Sequence, residues 1–132
     1  MLASLLVASL DAQIITSQYD NARIGANIHE TILNPRNVDV KRFGRVFRLS
    51  VDGDIYAQPL YLPSLAIPGK GTHDVVFVAT EHDSVYAFDA EGNPAEPLWH
   101  VSFLSKGVST VSPRDVMCPF VTPEIGITPT PA

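Results

Sequence analysis

Short runs of β-branched and aromatic residues, separated by turn residues at regular spacing, dominate the chain from residue 45 onward and predict strands rather than helices. Residues 45–51 (RVFRLSV) alternate polar and apolar side chains, as a half-buried strand does, and Asp52-Gly53-Asp54 ends the run with a turn. Residues 55–62 (IYAQPLYL) form a second run. Its internal Pro59 has no amide proton for a ladder, so it belongs at an edge or a bulge. Residues 63–73 read as a polar loop. Residues 74–80 (DVVFVAT) are almost uniformly apolar, the pattern of a strand covered on both faces. Glu81-His82-Asp83-Ser84 makes a tight polar connection into residues 85–89 (VYAFD), so these two runs should pair as a hairpin. A turn carrying Gly92-Asn93-Pro94 leads to the last clear run, residues 98–103 (LWHVSF).

Residues 55–103 therefore hold four consecutive strands in about fifty residues, the size of one β-propeller blade. The expected fold is all-β, with blades of four antiparallel strands. A lone blade has no second sheet to cover its faces, and a closed propeller needs at least about four of them. The stretch TPEIGITPTPA, residues 122–132, stops as if in mid-strand, so the chain reads as part of a larger propeller.

Composition narrows the class. The chain has 132 residues, 45% of them hydrophobic and 17% charged, which is globular composition. Eleven prolines and eight glycines interrupt any long helix and exclude an all-α bundle. A net charge of −5 draws the chain toward neither nucleic acid nor anionic lipid. With the single Cys118, an intramolecular disulfide and a multi-cysteine metal site are excluded. The apolar run at residues 1–10 (MLASLLVASL) has the length of a signal-peptide core, with cleavage after Ala12. It is too short to span a bilayer, lacks the usual preceding Lys or Arg, and reads otherwise as a buried first strand or helix. On the export reading, residues 1–12 are a signal remnant, residues 13–132 are the folded part, and the location is periplasmic, cell-surface or extracellular.

Three segments resemble the quinoprotein-dehydrogenase-like β-propellers, whose repeats are named for pyrroloquinoline quinone and which stand near the WD40 and YVTN propellers. Asn21-Ala22-Arg23, Thr31-Ile32, Asn37-Val38 and Phe43 are similar to the family's opening stretch. Residues 52–60, with Ile55-Tyr56-Ala57-Gln58-Pro59-Leu60, look like its first inner strand. Residues 76–80, then Val85-Tyr86-Ala87-Phe88-Asp89-Ala90, Gly92 and Trp99, resemble the repeat signature itself, although Ala90-Glu91-Gly92-Asn93-Pro94 replaces the compact Thr-Gly turn. The resemblance runs from about Gln18 to Trp99 and implies an eight-bladed propeller of which this chain is the beginning, the remaining blades being its partners.

Several residues read first as architecture. Trp99 offers a ring to wedge between adjacent sheets, and Asp89 can accept amide protons of the turn that follows it. Gly92 serves that turn, and Pro59 an edge or a bulge. In enzymes of the family, adjacent cysteines form a disulfide above the quinone; here Met117-Cys118 stands in that segment, so the disulfide cannot form. Cys118 reads as an inert thiol or a cofactor contact, and Glu124 as a solvated carboxylate or a calcium or cofactor contact. Asp52-Gly53-Asp54 lacks the further ligands of an EF-hand loop. His29, His73, His82 and His100 lack metal-ligand spacing, and Gly69-Lys70-Gly71-Thr72 lacks the order of a phosphate loop. Five of the nine basic residues, Arg36, Lys41, Arg42, Arg45 and Arg48, make a local positive patch, read as a solvated strand face. No Ser-His-Asp order, paired-carboxylate spacing or dinucleotide motif appears.

Two functions follow. The first is a non-catalytic, exported propeller segment that binds protein or glycan ligands or serves as a scaffold, with no cofactor, no catalytic or metal-binding residue, no nucleic-acid partner and no membrane span. The second is the N-terminal fragment of a quinone-dependent alcohol or sugar dehydrogenase, which would use pyrroloquinoline quinone and calcium.

Overall fold

A computed structural model describes residues 13–28 and 30–131. The signal-peptide reading of residues 1–12 and the position of His29 lie outside the described residues. The fold is all-β, and among the described residues there is no helix. Four strands, β1 (Leu60–Ile67), β2 (Gly71–Ala79), β3 (Ser84–Asp89) and β4 (Trp99–Ser102), form one antiparallel sheet in the order β1-β2-β3-β4. Each strand pairs with its sequence neighbour, so the sheet is an up-and-down meander with β1 and β4 at its edges.

The β2–β3 hairpin forms where the residue pattern places it. Val75 faces Asp89 and Ala79 faces Val85 across the ladder. The connection closes with Thr80 N–H donating to Ser84 O at 3.0 Å and Asp83 N–H to Thr80 O at 3.2 Å. β4 is one residue shorter at each end than residues 98–103, although its hydrogen bonding continues: Leu98 N–H reaches Ala87 O at 2.7 Å and Phe103 N–H reaches Asp83 O at 2.9 Å.

The first half of the sheet departs from the expectation. Ladder pairing begins at Leu60, not Ile55, and after a bulge at residues 63–64 resumes at residues 65–67 against 71–73, within a stretch whose residues predict a polar loop. Only the turn at residues 68–70 separates β1 from β2, closed by Lys70 N–H to Ile67 O at 3.0 Å with Gly69 at φ 74°. Pro59 therefore precedes the ladder, and the proline inside it is Pro63. It is tolerated because β1 is an edge strand and the register slips between Leu62 and Leu65, a bulge that needs no proline donor. At the bulge Ser64 has φ 53°, and its N–H donates to Asp74 Oδ1 at 2.8 Å instead of to the ladder.

Residues 45–51 form no ladder among the described residues. Their alternation is used differently. Leu49 and Val51 pack against the cluster of Val78, Tyr86 and Phe88 on one sheet face, while Arg48 and Ser50 are exposed. An extended segment laid on a sheet needs the same two-residue period as a strand within it. Upstream, the Phe47 ring lies against Gly92: a Cβ there would come within 2.7 Å of Phe47 Cδ2, and Gly92 also has φ 72°. Both facts demand glycine at this turn. The opposite sheet face carries Val75, Ala87 and Leu98 in a second cluster, flanked by Leu65, Ile67 and Phe77.

Candidate functional site

Polar side chains gather at the end of the sheet where β2 turns into β3. The Asp52-Gly53-Asp54 turn packs directly on this hairpin: Glu81 N–H donates to Asp54 O at 2.9 Å, and a Cβ on Gly53 would lie 2.8 Å from His82 N. Asp52 accepts hydrogen bonds from Ser84 Oγ at 2.5 Å and Thr80 Oγ1 at 2.9 Å, and His100 Nε2 stands 4.0 Å from its Oδ2. Burial pushes the Asp52 carboxyl up, but the hydrogen bonds from Ser84, Thr80 and Tyr86 outweigh it and leave its pKa below the ordinary value. The Tyr86 ring stacks on His100, with centroids 4.2 Å apart, and on Phe88 at 5.5 Å.

On the other side of the turn, residues 110–128 return to the hairpin. Val111 and Ile125 bridge one another, and Ile127 N–H donates to Thr80 O at 3.2 Å. Glu124 ties this return to the turn with both oxygens: Oε1 lies 2.9 Å from His82 Nδ1, and Oε2 accepts from Thr110 Oγ1 at 2.7 Å. Glu81 is fully buried, and its Oε2 accepts from Gly126 N–H at 2.8 Å and Thr128 Oγ1 at 3.0 Å. Its Oε1 has no partner among the described residues. Thr110 and Ser84 deliver their hydroxyl protons to carboxylates, so the cluster acts as a set of ties between three chain segments.

A second pair joins neighbouring strands. His73 Nδ1 lies 2.7 Å from Asp89 Oδ2, and His73 Nε2 lies 2.8 Å from Lys70 O. Asp89 Oδ1 accepts the Glu91 N–H of the following turn at 2.8 Å. Hydrogen bonding to Asp89 raises the His73 pKa, and His73 in turn holds the Asp89 carboxyl low. His82 is raised by its hydrogen bond to Glu124, and Glu124 is lowered by Thr110 and then by His82.

These shifts set a pH window. A histidine with a raised folded pKa stabilises the fold fully below its unfolded value of about 6.5, and the gain is lost as pH rises through the folded value. The lowered carboxyls stabilise the fold above their unfolded values near about 4, and that gain is lost as pH falls through the folded ones. The urea midpoint should therefore be highest between roughly pH 5 and 6.5 and decline on both sides. Substituting His73→Asn and His82→Asn together should remove the alkaline decline; its persistence in the double variant would show that other groups cause it.

The structure does not join the two residues that the sequence singled out for chemistry. Glu124 belongs to the cluster at the β2–β3 turn. Cys118 is a half-buried free thiol in the loop of residues 112–123, where its N–H donates to Pro113 O at 2.9 Å. That loop encloses an open groove of about 590 Å³, lined by Ser112, Pro113, Arg114, Met117, Pro119, Thr122 and Pro123. Trp99 begins β4 opposite Ala87; its ring lies 6.0 Å from that of Phe77 and is 38% exposed. Sequence reasoning missed Glu81 and the pairing of His82 with Glu124, which are 42 residues apart. The one available signal was the density of acids and histidine in Glu81-His82-Asp83, read as a polar connection only. Among the described residues there is no group of three or more His, Cys, Asp or Glu side chains placed to hold a metal ion. No helix there is long and apolar enough to cross a membrane. No family model, curated protein or solved structure matches the chain.

Proposed function

We propose that this chain is a non-catalytic β-propeller segment, similar to the quinoprotein-type propellers, that works as a binding or scaffold module. The observation that carries the reading is the four-stranded meander with an incompletely covered face. Trp99, Val101 and Phe103 alternate along the β4 edge, and all three are exposed. They stand on the same face as Ala87 and Val75, so a neighbouring sheet stacked there would extend an existing core. With Trp99 38%, Val101 40% and Phe103 58% exposed, covering what remains would stabilise the contact by about 2–4 kcal/mol in all, a share of the cost of association that a stacked sheet must offset over a wider area. Further blades of an eight-bladed protein are the natural cover, and exposed loops would then meet protein or glycan ligands. An exported location, suggested by residues 1–12, belongs to the same proposal.

The quinone-dehydrogenase reading finds less support. Calcium at Glu124 would displace the contacts to His82 and Thr110 that occupy both its oxygens, and Cys118 has no neighbouring cysteine. Cys118 and Glu124 therefore lend that cofactor pair no support.

The scaffold reading is tested by sedimentation velocity on the full chain. Self-association through the open face is expected, and Val101→Lys, which places a charge in its centre, should weaken it by about tenfold or more. A monodisperse monomer with a sharp two-state urea transition would overturn the reading, because a sheet that folds alone needs no stacked neighbour.

A further inference from the structure

We infer that the basic segment of residues 36–48 is a docking strip whose occupant is the acidic surface of a second copy of this chain. The inference rests on the scaffold reading above and adds the chemistry of one contact. Within this strip stand Arg36, Lys41, Arg42, Arg45 and Arg48, five of the nine basic residues, with Asp39 as the only acid. The other thirteen of the fourteen acids lie elsewhere in the chain, beside only four bases. Glu81 and Asp89 are buried, but Glu30, Asp54, Glu91, Glu96 and Asp115 are exposed, so each copy carries a cationic strip and exposed acids that complement it between molecules.

Within one copy the strip and the acids outside it form no ion pair among the described residues. Arg42 is the one strip cation with a carboxylate partner among the described residues, pairing with Asp39 at 2.6 Å. Arg36, Lys41, Arg45 and Arg48 are exposed, and no carboxylate lies within ion-pair distance of them among the described residues. Leu49 and Val51, just past the strip, pack on the sheet face, while every strip residue but Asp39 is exposed. The strip also carries exposed apolar groups between the cations: Val40 is 97% exposed, Val46 89% and Phe43 63%. Cations alone would suit a solvated face. Cations interleaved with three exposed large apolar side chains suit a contact that neutralises charge and buries hydrocarbon at once. A strip on one copy docking elsewhere on the next makes a head-to-tail contact, which can propagate.

The test is sedimentation velocity of the full chain at about 0.1 M and about 1 M NaCl, where the screening length falls from about 10 Å to about 3 Å. Association should weaken by about tenfold or more at the higher salt, and Arg45→Glu/Arg48→Glu should weaken it comparably at the lower salt. Arg45→Lys/Arg48→Lys, which keeps the charge, should associate like the parent. An unchanged urea midpoint checks that these exposed substitutions leave the fold intact, and the salt series needs no substitution at all. Association that is insensitive to salt and to charge reversal, yet lost in Val101→Lys, would overturn the docking strip while leaving the stacked-sheet reading standing. A chain that stays monomeric at low salt but co-sediments with vesicles of phosphatidylserine and phosphatidylcholine would overturn it in favour of a membrane surface.

Discussion

Phe88→Ala should lower the unfolding free energy by about 3–5 kcal/mol, the range for deleting a buried aromatic ring. Phe88 is 1% exposed, stacks on Tyr86 with rings 8° from parallel, and joins Val78 in the cluster that receives Leu49 and Val51. Its loss opens a cavity under the segment laid across the sheet, so that segment should loosen along with the core. A domain of this size commonly has about 5–15 kcal/mol in all, and the variant would lie near the edge of folding. Urea denaturation followed by Trp99 fluorescence measures the change. Trp99→Ala, read by far-ultraviolet circular dichroism, should cost clearly less, because its ring is partly exposed and leaves no closed cavity. Equal losses for the two would mean that the core is not centred on Phe88.

Gly126→Ala should be comparably damaging for a different reason. A Cβ at this position would overlap the carbonyl oxygen of Glu81 and lie 2.7 Å from its carbonyl carbon and 2.8 Å from Asp83 Oδ1. Two of those three atoms are backbone of the hairpin turn and cannot rotate away. Overpacking of this kind costs about 1–3 kcal/mol. Displacing the return segment also weakens the Gly126 N–H bond to the buried Glu81 Oε2, and leaving a buried acceptor unsatisfied costs about 1–3 kcal/mol. The expected total is about 3–5 kcal/mol, with faster proteolysis within residues 108–128. Gly44→Ala is the control, since nothing lies within 4 Å of a Cβ there. A Gly126→Ala protein as stable as the parent would show that the return segment does not rest against the hairpin.

What the residue pattern revealed depended on whether the deciding interactions were local. The β2–β3 hairpin was legible because uniform apolarity over residues 74–80, a polar tetrapeptide and a second β-branched run leave few other arrangements. The β1–β2 hairpin was not, because Pro63, Gly69 and Gly71 carry the marks of a loop. Only the edge position of β1 and the bulge between Leu62 and Leu65 make Pro63 compatible with a strand, and at that bulge Asp74 accepts the Ser64 N–H that the ladder loses. Residues 45–51 show the same limit from the other side. Their alternation picks out Leu49 and Val51, which pack on the core, but also Val46, which is exposed, and an alternating segment can satisfy the pattern inside a sheet or on top of one. The choice between the two is set by long-range backbone pairing, which leaves no periodic trace.

The candidate site was the least legible part. Glu124 drew attention as a candidate calcium or cofactor contact, but its hydrogen bonds are set by Thr110, 14 residues away, and His82, 42 residues away. Glu81 gave no signal beyond the density of acids and histidine around it, since its burial follows from residues 125–128 folding back over the turn. The sequence by itself determined the all-β class, the central hairpin and the alternation of inward and outward side chains, all of which arise from steric and hydrophobic preferences a few residues in range. The tertiary structure alone decided which strands reach the edges, where proline is tolerated and which carboxylates meet histidines or hydroxyls. Those outcomes depend on loop closures that bring distant residues within about 3 Å, and no local preference encodes such a distance.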